Sequence, residues 1–233
     1  MKLDNAIVFV TGANRGIGLA FAREALARGA RKVYAAARDP SSVTLPGVEA
    51  IQLDVTKPGE VAAAVKRAGD VTLLVNNAGI AVMGGFLPEG SIDSARAQLE
   101  TNFFGPLRLS QAFAPVLAAN GGGAILNVLS VASWINRPLL GVYGATKSAA
   151  WALTNGLRHE LRAQGTQVLG MHVGFVDTDL TRGIEMPKSS PDVVVRSAFD
   201  ALEAGADEVL ADDITRQVKQ GLSAEPGVYL LAA

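Results

Sequence analysis

The chain has 233 residues, of which 49% are hydrophobic and 18% charged, and its formal net charge is -1. That length supports one sizeable core, and the near-neutral balance excludes a global field that would draw the protein to nucleic acid or to an anionic membrane. The absence of cysteine excludes disulfides, thiolate metal sites and a cysteine nucleophile.

The chain opens Met1-Lys2-Leu3-Asp4-Asn5 without a signal-peptide pattern, and no stretch is long and apolar enough to span a bilayer, so a cytoplasmic protein with no membrane partner is expected. Residues 6 to 11 (AIVFVT) form an apolar, β-rich run that breaks at Gly12. A helical pattern follows from about Ile17 to Arg28, with Leu19, Ala20, Ala22, Ala25 and Leu26 for a buried face and Gly29 as its stop signal. Residues 32 to 37 predict a second strand, 48 to 53 a third, 58 to 68 a helix and 71 to 75 a fourth strand, halted by Asn76-Asn77-Ala78-Gly79. A long helical stretch runs from about Ser91 to Ala119, and Pro106 predicts a kink or break within it. After Gly121-Gly122-Gly123 come a fifth strand at 124 to 129, a helix over 141 to 163 and a sixth strand at 167 to 173. Pro191 reads as the first residue of a helix reaching about Glu203, and the remaining segment has room for a last strand and a short helix. Short apolar strands alternating with helices predict an α/β fold: one domain over residues 1–233, a doubly wound, Rossmann-like parallel sheet with helices on both faces.

The first strand runs into Thr11-Gly12-Ala13-Asn14-Arg15-Gly16-Ile17-Gly18. Glycines permit a tight turn and close backbone approach, and the following helix offers free N–H groups to a pyrophosphate. Such a turn alone is weak evidence, and its spacing differs from GxGxxG, but its place between a first strand and a helix favours dinucleotide binding. Tyr143 and Lys147 are four apart on one predicted helix and therefore share a face. An ammonium there favours phenolate, and a tyrosine so tuned can exchange a proton with a carbonyl or alcohol oxygen. Ser130 ends the fifth strand, where active sites of open parallel sheets gather, and its hydroxyl could hold the same oxygen. The plain alternative is a surface Tyr-Lys pair beside a strand-ending serine. His159 and His172 show no paired spacing for a metal site, so none is expected. Thr154 and Asn155 read as ordinary helix residues.

Taken together and in this order, TGANRGIG, Asn76-Asn77-Ala78-Gly79, Ser130 and Tyr143-Gly144-Ala145-Thr146-Lys147 resemble the classical short-chain dehydrogenase/reductase family over roughly three-quarters of the chain, to about Thr178. The resemblance implies an oxidoreductase that moves a hydride between a nicotinamide cofactor and a carbonyl or alcohol. It implies Tyr143 as general acid/base, Lys147 as a ligand of the nicotinamide ribose that also assists Tyr143, and Ser130 as the group orienting the substrate oxygen. Asn102, in LETNFFG, falls on the asparagine that supports a water-linked proton relay to the lysine. Gly12, Asn14, Arg15, Ile17 and Gly79 fall on the cofactor turn and its neighbour. Asp54 and Val55 fall on the adenine-binding element and Asn76 beside the adenosine ribose.

NAD enzymes of doubly wound folds carry an acidic residue at the end of the second strand, whereas NADP enzymes use a basic one. By resemblance that acidic position falls on Ala37, and Arg38 falls where NADP-preferring members place their arginine. Arg15 is a second guanidinium suited to the phosphate. Asp39 dissents: turned inward it would repel the phosphate and favour NAD, turned outward it would pair elsewhere. NADPH is the expected cofactor. After the sixth strand the family shows Pro-Gly, a hydrophobic residue and Thr. Here His172-Val173-Gly174-Phe175-Val176-Asp177-Thr178 keeps Gly174, Val176 and Thr178 but has Val173 for the proline, which implies a less rigid loop with Val176 still facing the carboxamide.

The short segment from Thr178 to Pro191 predicts an open pocket, walled by Met83, Trp134, Leu140, Phe175, Ile184 and Met186 if these do not simply pack in the core. The expected substrate is an uncharged, partly apolar ketone or aldehyde, with Arg137 and Arg182 as the charged residues within reach. The competing readings are a non-catalytic NADP(H)-binding sensor or regulator, which has no need of Ser130, Tyr143 and Lys147, and a lyase or epimerase, whose relatives carry a second domain. The resemblance also implies a homodimer or homotetramer paired through the helices after the fourth and fifth strands.

Overall fold

A computed structural model describes residues 1–231. Seven strands, β1 (Ile7–Thr11), β2 (Lys32–Ala37), β3 (Glu49–Gln52), β4 (Leu73–Asn76), β5 (Ala124–Val128), β6 (Gln167–His172) and β7 (Glu208–Leu210), form one sheet in the order β3-β2-β1-β4-β5-β6-β7, and every neighbouring pair is parallel. The helices are α1 (Gly16–Ala27), α2 (Pro58–Arg67), α3 (Ser91–Leu99), α4 (Gly105–Ala119), α5 (Gly141–Glu160), α6 (Pro191–Glu203) and α7 (Asp213–Gly221).

All five residues of β1 are buried, and their alternation divides the core into two. Val8 and Val10 join Phe21 of α1 and Phe199 of α6 on one face. Ile7 and Phe9 join Phe113 and Leu117 of α4 and Leu157 of α5 on the other. A strand apolar on both faces is what a helix-covered parallel sheet requires, and the doubly wound α/β expectation is met. The order reverses between β1 and β4, so the crevice at the carboxyl ends of these strands is the topological switch point where such sheets bind ligands.

Most elements lie within a residue or two of their expected limits. The predicted helix over 91–119 is three segments: α3, a π turn over Glu100–Phe104, and α4. The Gly105 N–H bonds the carbonyl of Glu100 in the wider i→i+5 register. Pro106 then lies in the first turn of α4, where its missing N–H matters least. The expected break is therefore real, but it is made ahead of the proline. Gly29, with φ of 82°, follows α1 as expected.

Candidate active site

The glycine turn leaves β1 at Thr11 and enters α1 at Gly16, with Gly12 and Gly16 at φ of 63° and 55°, left-handed values that side chains disfavour. Gly18 lies against this turn: a Cβ on it would stand 2.0 Å from the Gly12 carbonyl oxygen. No side chain caps the α1 N-terminus, so its first N–H groups face the crevice without an intrahelical partner. A dinucleotide pyrophosphate fits that arrangement of uncapped donors and positive helix end.

Thr11 and Asn77 hold the turn in place. The Thr11 hydroxyl accepts from the N–H groups of Asn77 (2.9 Å) and Ala78 (3.0 Å), while the Asn77 amide donates to the carbonyls of Thr11 (2.9 Å) and Gly12 (3.3 Å). Asn77 and Ala78 line the cleft. Asn76, expected at the adenosine ribose, is corrected: its side chain is buried in the sheet and donates to Asn127 at 2.8 Å. Successive strand residues point to opposite faces, so of two adjacent asparagines one must turn inward and the other toward the cleft. The alternation was the available signal for Asn77.

The cleft, about 800 Å³, extends from the ends of β2 and β3 to α5 and the segment after β6. It brings together Gly12, Asn14, Arg15, Ile17, Arg38, Asp54, Val55, Gly79, Ser130, Tyr143, Lys147, Val176 and Thr178. At its β2 end, Asp39 bends back on Ser41: its Oδ1 accepts from the Ser41 N–H at 2.9 Å and the Ser41 hydroxyl at 2.7 Å. Those two bonds, the hydroxyl first, hold the Asp39 carboxyl below its usual range. Ser42 also lines the cleft beside Arg38, and nothing in the sequence distinguishes it from Ser41. Asp54 is also held low: burial opposes ionisation, but two bonds from Thr56 and the charges of Lys57 and Arg38 outweigh it. Arg15 forms an exposed 2.9 Å ion pair with Asp179 across the cleft.

At the other end stands the triplet. Leu129 and Val131 donate to the carbonyls of Met171 (2.7 Å) and Val173 (2.8 Å), which carries Ser130 past the end of β5 along β6. The Ser130 hydroxyl accepts from Ala132 N–H at 3.1 Å and caps the 3-10 turn Val131–Ser133. On α5, Lys147 is 7% exposed, donates to the Val128 carbonyl at 2.8 Å and lies 5.8 Å from the centre of the Tyr143 ring. Burial lowers Lys147 to about 8. Burial pushes Tyr143 up to about 12, against the smaller opposing effect of the Ser130 hydroxyl. The expected lowering of the tyrosine by its lysine is therefore overturned here, because desolvation exceeds the effect of a charge set to one side.

Asn102 stands one layer behind, in the π turn. Its Oδ1 accepts from Ile80 N–H at 2.9 Å and its Nδ2 donates to the carbonyl of Ile80 (2.8 Å) and the hydroxyl of Thr146 (3.0 Å). Its carbonyl has no helical donor four residues on, since residue 106 is proline. A Cβ on Gly79 would lie 3.3 Å from Asn102 Oδ1 and 3.9 Å from Lys147 Nζ, so this glycine keeps the space between them open.

Met83, Leu140, Phe175 and Ile184 line the outer cleft. Two wall assignments are corrected. Met186 is 56% exposed and stands outside, and Trp134 stacks beneath on His172, with ring centres 3.8 Å apart. Ile80, Ala81, Ala132 and Leu180 complete the apolar wall. Half-buried Arg137 reaches the Leu231 carbonyl, and exposed Arg182 pairs with Asp179. After β6, Asp212 compensates for the missing proline: its carboxylate accepts from Gly174 N–H at 2.6 Å while capping α7. Among the described residues no helix is long and apolar enough to cross a membrane.

A family model described as short chain dehydrogenase matches residues 6–188. A short-chain dehydrogenase of Penicillium ochrochloron is 35% identical over 219 residues, 88% of this chain and 79% of that protein. A crystal structure of a short chain dehydrogenase from Burkholderia cenocepacia in complex with NADP superposes with a TM-score of 0.95 at 37% identity, covering 100% of both chains. A 3-ketoacyl-(acyl-carrier-protein) reductase from Brucella melitensis complexed with NADH is 26% identical, with a TM-score of 0.80 over 89% of this chain and 94% of that one. With its parallel sheet, its uncapped glycine turn and its Ser-Tyr-Lys cleft, the chain belongs to the short-chain dehydrogenase family of oxidoreductases.

Proposed function

We propose that the protein is an NADPH-dependent carbonyl reductase acting reversibly on uncharged, partly apolar ketones or aldehydes. The observation that carries this reading is the convergence of Ser130, Tyr143 and Lys147 on one end of a cleft whose outer wall is apolar and whose β2 end carries Arg38. The bound nicotinamide supplies or accepts the hydride. Tyr143, a protonated phenol at neutral pH, donates its proton to the carbonyl oxygen as that oxygen gains charge, and takes it back in oxidation. Ser130 donates a hydrogen bond to the same oxygen. Lys147, with its amine at the end of β5, would hold the nicotinamide ribose and place positive charge near the phenolate. Asn102 would support a water-linked relay toward Lys147 from its carbonyl, which has no N–H donor at Pro106.

The cofactor preference rests on Arg38 and on the pairing of Asp39 with Ser41. A guanidinium at the strand end suits a 2′-phosphate, and an Asp39 carboxylate bound by Ser41 need not repel it. Gly12, Asn14, Arg15 and Ile17 would hold the pyrophosphate and adenosine side, Asp54 and Val55 the adenine, and Val176 and Thr178 the nicotinamide side. Cytoplasmic residence, and a homodimer or homotetramer built on α3–α4 and α5, belong to the same proposal. Absorbance loss at the reduced-nicotinamide band, with NADPH and NADH in parallel over aromatic and aliphatic ketones and aldehydes, tests it. Faster NADPH consumption is expected; NADPH binding without turnover across the panel would favour a sensor instead.

A further inference from the structure

Beneath Ser130 lies an aromatic and charged cluster, buried at His172 and half-buried around it, that the proposed chemistry leaves unused. The His172 ring, 0% exposed at the end of β6, stacks on Trp134 at an interplanar angle of 20°. Its Nδ1 is 3.2 Å from the Ser130 carbonyl oxygen. A carbonyl can only accept, so Nδ1 carries the hydrogen. Its Nε2 faces Glu208 Oε1 of β7 at 3.5 Å, and the other Glu208 oxygen is 3.0 Å from Lys219 of α7. The Lys219 ammonium in turn lies 4.8 Å from the Trp134 ring centre, and Trp151 of α5 meets Trp134 edge-on at 6.3 Å.

We propose that His172 is a positioning residue for Ser130: its Nδ1–H fixes the Ser130 carbonyl, and with it the turn that aims the Ser130 hydroxyl into the cleft. The inference rests on the reading of Ser130 as the group that holds the substrate oxygen. Three links tie this stretch to β6, and they divide the work. The bonds from Leu129 to Met171 and from Val131 to Val173 fix the chain on either side of Ser130, while His172 is the link from β6 to the peptide of Ser130 itself, joining the Ser133 N–H (2.9 Å) on the same carbonyl. Rotation of that peptide would alter the turn over Val131–Ser133, which the Ser130 hydroxyl caps, and would redirect the hydroxyl. The imidazole is in turn clamped between Trp134 and Glu208. His172 first, against burial, and then Lys219 hold the Glu208 carboxyl down to about 2, so the carboxylate stays charged throughout the working range. Of the two ring nitrogens only Nδ1 makes a hydrogen bond, so the link to the Ser130 carbonyl is the one directed polar contact of this buried ring.

The test compares His172→Phe, which keeps a ring on Trp134 but removes the donor, with His172→Asn, whose amide can place a donor near Nδ1. Each is also made in a Ser130→Ala background. The probe is 9,10-phenanthrenequinone, an uncharged apolar diketone, with NADPH. His172→Phe should lower kcat by about tenfold with KM for NADPH unchanged, because a small misplacement of a positioned group is costly. His172→Asn should recover most of that loss, and His172→Phe should add nothing once Ser130 is alanine. If His172→Phe is too unstable to assay, Glu208→Gln, which loosens the clamp from outside, should lower kcat about threefold in the presence of Ser130 and not in its absence. Equal losses in both backgrounds, or His172→Asn as impaired as a folded His172→Phe, would overturn the inference. Ser130→Ala with wild-type kcat would sink the reading of Ser130 and this inference together. A damaged Ser130→Ala beside an undamaged His172→Phe would sink this inference alone.

Discussion

Gly18 packs on the peptide of Gly12: a methyl group at residue 18 would stand 2.0 Å from the Gly12 oxygen and 2.6 Å from Nδ2 of Asn77. The third glycine of the turn is thus set by the first one and by the asparagine that braces it. Gly18→Ala should force the helix away from the turn, at about 1–3 kcal/mol of stability. Because the same peptides offer the uncapped donors, NADPH affinity should fall with it. A thermal melt and a fluorescence titration with NADPH measure the two losses, and wild-type affinity in a folded Gly18→Ala would mean that the turn is not the pyrophosphate cradle.

Asp39 and Arg38 are adjacent, but only the arginine is free of a local bond partner of the kind Ser41 gives Asp39. Charge-assisted bonds to a phosphate are worth about 1.5–3 kcal/mol. Arg38→Asp should therefore lower kcat/KM for NADPH by about 10- to 100-fold and leave NADH little changed or improved. Parallel steady-state assays read the ratio, and an unchanged ratio would assign the phosphate to Arg15 or to Ser42.

Tyr143→Phe removes one hydroxyl from a half-buried ring and leaves the cleft wall intact. General acid catalysis contributes about 10²- to 10⁴-fold. The variant should bind NADPH as tightly as the wild type and lose turnover by at least the lower figure. Stopped-flow hydride transfer separates the two, and wild-type turnover would remove Tyr143 from the mechanism.

The sheet was readable from the chain because each strand is short, apolar and closed by a polar or glycine stop, and the helices between them carry their own start signals, such as Ser190-Pro191 for α6. What could not be read is what depends on side-chain direction across elements. Asn76 and Asn77 are equivalent in a motif and opposite in a strand. Trp134 is apolar and near a strand end, as a pocket wall should be, but a buried imidazole from β6 offers it a better stacking surface than solvent does. The π turn at Glu100–Phe104 has no composition of its own, and Pro106 announces only that something must give nearby. The proximity of Tyr143 and Lys147 was legible from four-residue spacing, whereas the balance between charge and burial was not, since burial belongs to the assembled core.

That balance makes stability depend on pH in a defined way. The Lys147 amine falls from 10.5 to about 8 on folding. Below about pH 8 both states hold the proton, and the folded state carries the cost of a buried ammonium, about 3 kcal/mol at 1.36 kcal/mol per unit. Between about 8 and 10.5 the unfolded chain binds more protons, so the Lys147 contribution makes stability rise with pH. Tyr143 acts in the opposite sense: its phenol rises from 10.0 to about 12, so above pH 10 the folded state binds more protons and stability falls. Lys147→Met isolates the first slope. In urea unfolding without cofactor, its stability relative to wild type should decline by about 2 kcal/mol between pH 8 and pH 10, as the wild-type amine sheds its proton and the penalty disappears. A difference that stays flat over that interval would show that the amine is solvated in the free protein and pays no burial penalty.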